Sequence, residues 1–320
     1  MALLNFTNKG IYCEQADIYI DPSKKVQKAL ITHAHSDHAR SGHKSYLCTH
    51  TTLPVLKLRL GKNIPASGIG YGEPITINGV KFSFHPAGHI IGSAQIRVEY
   101  KGEVWVVSGD YKVEDDGVSE VYEPVKCHHF ITECTFGLPI YKWGKQEKTF
   151  DQINQWWAAN AAEKTTSLIT AYSLGKAQRV IQNVDKHIGR IFTHPAVENI
   201  NKAFRHLGIP IVKTTPLSTK ITTKELENAL IVTPSSGGIS NVITKIRALS
   251  IASASGWMMS RERRRKVNAD RAFVLSDHVD WIGLIQTIKA TEAIHIYPTH
   301  GYTDALSKYL KENGYDTEIK

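Results

Sequence analysis

The pattern of secondary structure along the chain changes near residue 150, and this change limits the fold more than any other feature. Before it, short β-type runs are separated by glycine turns, as in Ala94–Tyr100 and Val104–Val107, which the Lys101-Gly102 turn joins. From Phe150 onwards helical and strand-like segments alternate, which is typical of a parallel α/β unit. After about residue 271 the mixed pattern returns. The sequence therefore predicts an α/β protein with a first domain, 1–150 and 271–320, interrupted by an inserted domain, 151–270.

The composition is that of a folded protein with a large core. Of the 320 residues, 42% are hydrophobic and 22% are charged, which excludes a disordered tail, a fibre and a small disulfide scaffold. The net charge of +9 favours anionic partners. No apolar run reaches the length of a membrane span and the N-terminus lacks a secretion signal, so we expect a cytoplasmic protein without a membrane partner. The four cysteines form no Cys-x-x-Cys pair, and we expect them to be reduced and buried.

A histidine-rich motif carries the strongest chemical signal. Thr32-His33-Ala34-His35-Ser36-Asp37-His38 follows the apolar stretch Ala29-Leu30-Ile31. Side chains alternate in an extended segment, so His33 and His35 point to one side and can share a metal ion. The turn that follows presents Asp37 and His38, which we expect to be exposed ligands, to a second ion. The motif predicts a two-metal site; the alternative is a solvated polar loop.

Two further candidates stand where predicted strands end. His89 lies in Pro86-Ala87-Gly88-His89, and Asp110 ends the run that begins at Val104. Loops at strand ends often carry site residues on a rigid scaffold. Either residue alone would more simply be part of a turn. Together with the first motif they supply a third histidine and the bridging carboxylate that a two-metal hydrolytic site needs.

These motifs resemble those of the metallo-β-lactamase superfamily. The segments Thr132–Gly137, Ser276–His278 and Pro298–Gly301 are similar to three further motifs of its β-CASP nucleases. Within that branch nearly the whole chain resembles the bacterial ligase-associated DNA exonucleases, which are also labelled as messenger-RNA 3′-end processing factors. The segments that carry this resemblance are Gly10–Cys13, His85–His89, Ser253–Met258 and His300–Tyr302. The resemblance implies an αββα sandwich with an inserted α/β cap domain.

The resemblance also implies two divalent metal ions and a set of ligands for each. The first set is His33, His35, His89 and Asp110, and the second is Asp37, His38, Asp110 and His300. Asp21, or alternatively Asp17, would support the metal loop through hydrogen bonds. Zinc suits the histidine-rich set, while manganese or iron also occupies mixed nitrogen and oxygen sites.

Phosphodiester hydrolysis fits this ligand set, with Asp37, Glu133 and His278 as the predicted catalytic residues. We expect His278 to give a proton to the departing sugar oxygen and Glu133 to orient the imidazole. The alternative for His278 is a surface histidine in a turn.

Other residues are candidates for holding the polymer. The basic run around Arg263, Arg264 and Arg265 can neutralise phosphates without sequence preference, although such a run is often only a solvated face. Ser173 and Lys176 lie at the start of a predicted helix whose amides could bind a phosphate. Arg40 and Ser93 are candidates because each lies a few residues from a predicted ligand.

The resemblance implies a DNA exonuclease for single-stranded ends, with a preference for the 5′ end, in DNA repair or end processing. The alternative is a β-CASP ribonuclease that processes RNA. A small-molecule hydrolase would have no reason to carry the inserted domain, and a non-catalytic homologue would be expected to lose ligands. Nucleic acid is thus the expected partner, with functional association with a DNA ligase and a helicase.

Overall fold

The computed structural model describes residues 2–234 and 242–320. Contacts between Cα atoms divide the chain into two compact units. The first unit comprises Met1–Asp115, Ser119–Lys142 and His278–Lys320, and the second comprises Asp116–Val118 and Trp143–Asp277.

Strands and helices are numbered here in chain order. The strands are β1 (Asn5–Thr7), β2 (Gly10–Cys13), β3 (Ile18–Ile20), β4 (Lys28–Leu30), β5 (Ser45–Thr49), β6 (Ala66–Ile69), β7 (Ile75–Ile77), β8 (Val80–Pro86), β9 (Ala94–Tyr100), β10 (Glu103–Val107), β11 (His129–Cys134), β12 (Thr166–Thr170), β13 (Ile191–Thr193), β14 (Thr215–Pro216), β15 (Leu230–Thr233), β16 (Leu249–Ala254), β17 (Arg271–Phe273), β18 (His295–Gly301) and β19 (Asp316–Thr317). The α-helices are α1 (Thr52–Leu60), α2 (Gln146–Ala162), α3 (Lys176–Asn183), α4 (Pro195–His206), α5 (Thr223–Leu226), α6 (Arg261–Lys266), α7 (Trp281–Thr291) and α8 (Thr303–Glu312).

The first unit is built on two sheets. One has the strand order β1-β2-β3-β4-β5-β6 and the other β19-β18-β11-β10-β9-β8-β7. Alternation of buried and exposed side chains directs one face of each strand inwards, as Phe82 and Phe84 of β8 illustrate. Ile20 and Leu30 of one sheet join Phe82, Phe84 and Trp105 of the other in a single hydrophobic core. The two sheets therefore pack face to face.

Helices cover the outer faces of these two sheets. Leu56 of α1 packs with Ile31 and Cys48 on one side. Leu284 of α7 and Leu306 of α8 pack with residues of β10, β11 and β18 on the other. Asp280 accepts a hydrogen bond from the Gly283 amide (2.7 Å), which fixes the start of α7. The first unit thus has four layers, with helices outside and sheets inside.

The second unit has one sheet, in the order β14-β13-β15-β12-β16-β17, and its described strand pairs are parallel. Helix α2 buries Phe150, Ile153 and Trp157 against it, at the spacing of one helical face. This alternation of strands and helices confirms the predicted α/β class. Strand β9 has the predicted bounds, and the turn at Lys101 and Gly102 has positive φ at both residues, as a tight hairpin requires.

Strand direction determines where the site residues meet. Strands β10, β11 and β18 are parallel to one another, and β8 runs in the same direction because two antiparallel steps separate it from β10. Their carboxyl ends therefore lie at one edge of the sheet. No helix in the described parts of the chain is long and apolar enough to cross a membrane.

Candidate metal centre

The residues that the motifs single out for metal binding and catalysis lie in the first unit, mainly at strand ends. His33, His35, Asp37 and His38 lie in the loop after β4, His89 follows β8, Asp110 follows β10, and Glu133 and His300 lie near the ends of β11 and β18. His278 is the first residue of the unit's last segment.

Three imidazoles and one carboxylate form what we call the histidine cluster: His33, His35, His89 and Asp110. Their potential ligand atoms all lie within 4.8 Å of one another. The Nδ1 atom of His35 is 3.1 Å from Nε2 of His33 and 3.1 Å from Nε2 of His89. Oδ2 of Asp110 is 3.5 Å from the His33 nitrogen and 3.7 Å from the His89 nitrogen.

These spacings fit a tetrahedral metal site. A tetrahedral ion about 2.0–2.1 Å from each nitrogen ligand separates neighbouring ligand atoms by roughly 3.3 Å. Four of the six distances between these ligand atoms, 3.1–3.7 Å, bracket that value, and all of them are within 4.8 Å. Three nitrogen atoms and an oxygen atom therefore converge with the chemistry and the spacing that a divalent ion requires.

Asp110 faces two sets of ligands with its two oxygen atoms. Oδ2 belongs to the histidine cluster, whereas Oδ1 is 3.4 Å from Nε2 of His38. That nitrogen is also 3.9 Å from Oδ2 of Asp37, and the His38 ring lies 5.6 Å from the ring of His300. The four residues of the second predicted set thus lie around His38, with wider spacing than in the first.

Exposure differs between the two neighbours in the motif. The Asp37 side chain is 66% exposed, whereas that of His38 is 5% exposed, so the expectation that both are exposed was wrong for His38. Nδ1 of His38 is held against the Asp21 carboxylate, which accounts for its burial. A cavity of about 430 Å³ in the first unit has Asp37, His38 and His300 in its wall.

Asp21 contacts the beginning and the end of the histidine motif. Its carboxylate accepts hydrogen bonds from the main-chain amide (2.8 Å) and the hydroxyl (2.6 Å) of Thr32, and it lies 2.7 Å from Nδ1 of His38. Asp17, the alternative, contacts Tyr12 and Lys28 instead. Asp21 therefore fixes the beginning of the histidine motif and leaves Nε2 of His38 facing Asp110.

Two glycines next to the ligands allow the loops to approach closely. Gly88 precedes His89 with φ +73°, and a Cβ atom there would lie 2.1 Å from the main-chain oxygen of Lys112. Gly109 precedes Asp110 with φ +56°, and a Cβ atom would lie 2.7 Å from the Thr32 side chain. Only glycine fits both the space and the backbone conformation at these positions.

Burial and charge set the protonation of the cluster. Burial lowers the pKa of His33 well below its ordinary value, and the neighbouring His38 adds to this effect, so His33 is neutral. Burial alone would also lower the pKa of His38, but Asp110 and Asp21 outweigh it and raise that pKa. Burial opposes charge on Asp110, yet His38 and His278 hold its pKa well below the ordinary value. A neutral imidazole and an ionised carboxylate are the forms that bind metal ions, so the pKa shifts of His33 and Asp110 favour metal binding and that of His38 opposes it.

Glu133 and His278 form a pair beside the cluster. Nδ1 of His278 is 2.9 Å and 3.0 Å from the two oxygen atoms of Glu133, which is 1% exposed. Main-chain amides of Tyr111 (2.9 Å) and Thr135 (3.3 Å) donate to the same carboxylate. Because the carboxylate accepts, the shared proton belongs to Nδ1. Asp110, Glu133 and His278 also form a second group with ligand atoms within 4.8 Å of one another.

Some of the residues predicted to bind substrate are buried. Ser93 is 1% exposed, and its hydroxyl accepts a hydrogen bond from the Ile90 amide within a turn. Lys176 is 4% exposed and its ammonium lies 3.2 Å from Asp277. Neither side chain is available to a phosphate in this structure, so direct contact with substrate does not fit them.

The other predicted substrate contacts differ from one another. Ser173 is partly buried, and its main-chain oxygen accepts a hydrogen bond from Gln178, which also accepts from the Gly175 amide and so satisfies one donor at the start of α3. Arg40 is exposed. Arg263, Arg264 and Arg265 are exposed on α6, with the Arg263 guanidinium over the Trp257 ring.

Three supporting residues have no distinct sequence signal apart from their place near a motif. Thr32 connects Asp21 to the loop. Arg59 of α1 donates to the main-chain oxygen of Ala34. Lys112 is 1% exposed and donates to the main-chain oxygen of Gly88 (2.6 Å), next to His89. Thr32, adjacent to His33, is the one that closer reading of the motif could have found.

Known proteins similar to the chain include nucleases. No family model matches it. A probable DNA ligase of Opitutus terrae is 26% identical over 310 residues, which are 95% of this chain and 30% of that protein. Endoribonuclease ysh1 of Schizosaccharomyces pombe is 23% identical over 362 residues, with 86% of this chain and 47% of that protein covered. The chain thus spans less than half the length of these two relatives.

Solved structures share the fold. A protein of unknown function from Enterococcus faecalis superposes with a TM-score of 0.61 at 13% identity, covering 91% of this chain and 78% of the other. The similarity to ysh1, which is named an endoribonuclease, and to the ligase-named protein confirms the resemblance that the motifs indicated. The chain is therefore similar to nucleases of the branch that its motifs resemble.

Proposed function

We propose that this protein is a two-metal phosphodiesterase that acts as an exonuclease on single-stranded DNA, with a preference for the 5′ end. One observation carries the proposal: a histidine cluster with metal-ligand spacing, buried except for the partly buried His35, lies beside the Glu133–His278 pair within a single unit. A metal site next to an oriented imidazole is the equipment that phosphodiester hydrolysis needs.

The metal ions would be zinc or manganese, with iron as a further candidate. His33, His35, His89 and Asp110 would hold the first ion, and Asp37, His38, Asp110 and His300 the second. When bound, two divalent ions neutralise charge on the scissile phosphate and make a water molecule acidic enough to serve as nucleophile. Asp37, as the exposed member of the set, would face the substrate side.

His278 would act on the leaving group. Glu133 holds Nδ1, so the proton for the leaving group would come from the opposite ring nitrogen, Nε2. A protonated His278 can give the Nε2 proton to the departing sugar oxygen, while the buried Glu133 carboxylate stabilises the charged ring. The amides of Tyr111 and Thr135 keep Glu133 in place during this transfer.

The first unit would be the metallo-β-lactamase αββα sandwich, and the second the β-CASP cap. The four-layer packing of the first unit supports this assignment. The assignment of the second unit as the cap is supported by its parallel sheet and by the interruption of the first unit by residues 143–277. The exposed arginines of α6 would then contribute phosphate contacts.

DNA is favoured over RNA by the extent of one similarity. The protein named as a probable DNA ligase matches 95% of the chain, more than the 86% matched by the endoribonuclease. We therefore propose a role in cytoplasmic DNA repair or end processing, associated with a DNA ligase and a helicase. The RNA-processing alternative is supported by the name of the endoribonuclease and by His300, a residue type found in RNA-processing members at this motif.

The test uses end-labelled single-stranded DNA and RNA of the same sequence, with either end blocked, and a closed circular single strand. Each substrate is incubated with the purified protein and with zinc, manganese or iron salts. We expect release of nucleotides from linear DNA with a free 5′ end, slower reaction when that end is blocked, and a resistant circle. Faster cutting of RNA, or efficient cutting of the circle, would replace the proposal by the ribonuclease or endonuclease alternative.

A further inference from the structure

A cluster of buried charges in the second unit includes Asp277, the residue that precedes His278. We call Asp116, Lys176, Arg179 and Asp277 the ion-pair cluster; each is at most 4% exposed. The Lys176 ammonium lies 3.2 Å from one oxygen of Asp277, and the Arg179 guanidinium lies 3.7 Å from the other. The same guanidinium lies 3.9 Å from Asp116.

The cluster also forms a hydrogen bond with the main chain. Arg179 donates to the main-chain oxygen of Ser276 at 2.6 Å, and it donates to Oε1 of Gln146 at 3.0 Å and 3.1 Å. Both cations project from α3, which starts at Lys176 and packs into the core of the second unit through Ala177, Val180 and Ile181. A well-packed helix thus holds the Ser276-Asp277 dipeptide by its side chain and its backbone.

His278 is therefore held on both sides along the chain. On one side lie Ser276 and Asp277, bound by Arg179 and Lys176. On the other side the Val279 amide donates to the main-chain oxygen of Tyr111 at 2.7 Å. Tyr111 is the residue whose own amide donates to Glu133, the partner of the His278 ring.

We propose that Lys176 and Arg179 are positioning residues for His278, acting through Asp277. This inference rests on the proposed role of His278 in hydrolysis. Proton transfer requires the donor within hydrogen-bond reach of the leaving oxygen, and a displacement of about 1 Å can cost roughly 10²-fold in rate. Two buried cations bind both oxygens of one carboxylate, which leaves Asp277, and hence the backbone at His278, little freedom.

The inference gives Lys176 a role other than phosphate binding. A lysine that binds substrate phosphate would affect KM and would lie at the surface, whereas Lys176 is buried against Asp277. A positioning lysine affects kcat, and only for substrates whose leaving group needs a proton. The two roles therefore differ in a measurable way.

The experiment compares Lys176→Met and Lys176→Arg with the unchanged protein on two substrates, in the presence of the metal that activates it. One substrate is single-stranded DNA, and the other is a nitrophenyl phosphodiester, whose leaving group departs without a proton. Glu198→Gln is the matched control, because Glu198 is also buried in the second unit and paired with Arg205, with Thr193 and Thr214 as further partners. Thermal unfolding is followed for every variant.

We expect Lys176→Met to lower kcat on DNA by roughly 10- to 100-fold, with KM unchanged and less than about threefold effect on the nitrophenyl substrate. Lys176→Arg should restore most of the loss, since it keeps the charge next to Asp277. Glu198→Gln should lower the unfolding temperature without changing the ratio of the two rates. In the double variant with His278→Ala, Lys176→Met should cause no further loss on DNA, because both changes remove the same contribution.

Several results would overturn the inference. Equal losses on both substrates, a rise in KM alone, or a rate ratio for Glu198→Gln that matches that of Lys176→Met would assign Lys176 to stability or substrate binding. Additive losses in the double variant would do the same. Failure of the proposed function has a different signature, because the unchanged protein would then hydrolyse neither substrate with any metal.

Discussion

Two clusters of buried ionisable groups lie in this protein, and they are built on opposite rules. In the histidine cluster, three imidazoles direct nitrogen atoms at one another and at one carboxylate, with separations of 3.1–3.7 Å. In the ion-pair cluster, two cations face two carboxylates, and side-chain and main-chain oxygens accept from Arg179 as well. The histidine cluster brings lone pairs close together, whereas the ion-pair cluster places opposite charges next to each other.

This difference separates a site that can take up a ligand from one in which opposite charges are already paired. Lone pairs that face one another inside a protein repel until a proton or a metal ion comes between them. Opposite charges with hydrogen bonds satisfy each other, although their burial makes the loss of either partner costly. Variants of the first cluster should therefore affect metal content and activity, and variants of the second should affect stability and, through Asp277, the position of His278.

The largest effect should follow from loss of a ligand in the histidine cluster. His89→Ala should lower hydrolysis by at least about 10³-fold, because ligands that act as a unit do not compensate for one another. Metal content, measured by atomic absorption, should fall in parallel. His43→Ala is the control, since His43 is a buried histidine of the same unit that contacts the Val26 amide. Normal metal content and activity in His89→Ala would contradict the two-metal site.

Removal of the His278 ring should have the next largest effect on activity. His278→Ala should slow turnover of DNA by roughly 10²- to 10⁴-fold, the usual contribution of a general acid. A nitrophenyl phosphodiester should recover much of that loss, and metal content should stay unchanged. Because Asp110, Glu133 and His278 also lie close enough to share an ion, metal content decides between the two roles. Loss of an ion in His278→Ala, together with an equal loss of rate on both substrates, would make His278 a metal ligand.

In the ion-pair cluster the largest expected effect is on stability. Arg179→Met leaves Asp116 and Asp277 without their shared cation, which should lower the free energy of unfolding by roughly 3–5 kcal/mol. Urea denaturation followed by circular dichroism measures the change. The double variant with Asp116→Asn should recover part of it, because one of the two carboxylates that shared the cation then carries no charge. Unchanged stability in Arg179→Met would remove the contrast between the two clusters.

The sequence predicted the histidine cluster better than the ion-pair cluster, and the reason is spacing. His33 and His35 lie two positions apart, so the alternation of side chains in an extended segment predicts that they point to the same side. His89 and Asp110 could be added because both follow predicted strands. Lys176 and Asp277, in contrast, are 101 positions apart in the sequence and meet only through the packing of α3. Local sequence patterns do not reveal such a pair. The position of Lys176 at the start of a predicted helix therefore suggested a phosphate contact instead.

Burial was the property that local patterns predicted least well. His38 was expected to be exposed together with Asp37, but its ring lies against Asp21, which is 17 positions earlier in the chain. Ser93 was expected near substrate, but it closes a turn with Ile90. In each case a side chain whose type suits a ligand or a contact finds a main-chain or carboxylate partner in the folded protein. The residue type predicts the chemistry, while the fold determines which partner is available.

The smallest predicted effect sharpens the comparison most, because it concerns a group that resembles both clusters. Asp21 is a carboxylate hydrogen-bonded to Thr32 and to His38, so it could serve charge balance or ligand orientation. If it orients His38, Asp21→Asn should weaken metal binding by roughly 10- to 100-fold, as loss of a ligand's hydrogen-bond partner commonly does. The Thr32 bonds survive in part because an amide oxygen still accepts, so the unfolding temperature of the metal-free protein should change little.

Asp17→Asn, at the neighbouring carboxylate that contacts Tyr12 and Lys28, is the matched control and should leave metal affinity unchanged. Isothermal titration of the metal-free variants with zinc or manganese measures the affinities. An Asp21→Asn variant that loses stability but binds metal normally would place Asp21 with the charge-balancing residues, and the orientation of His38 would then have to come from its burial alone.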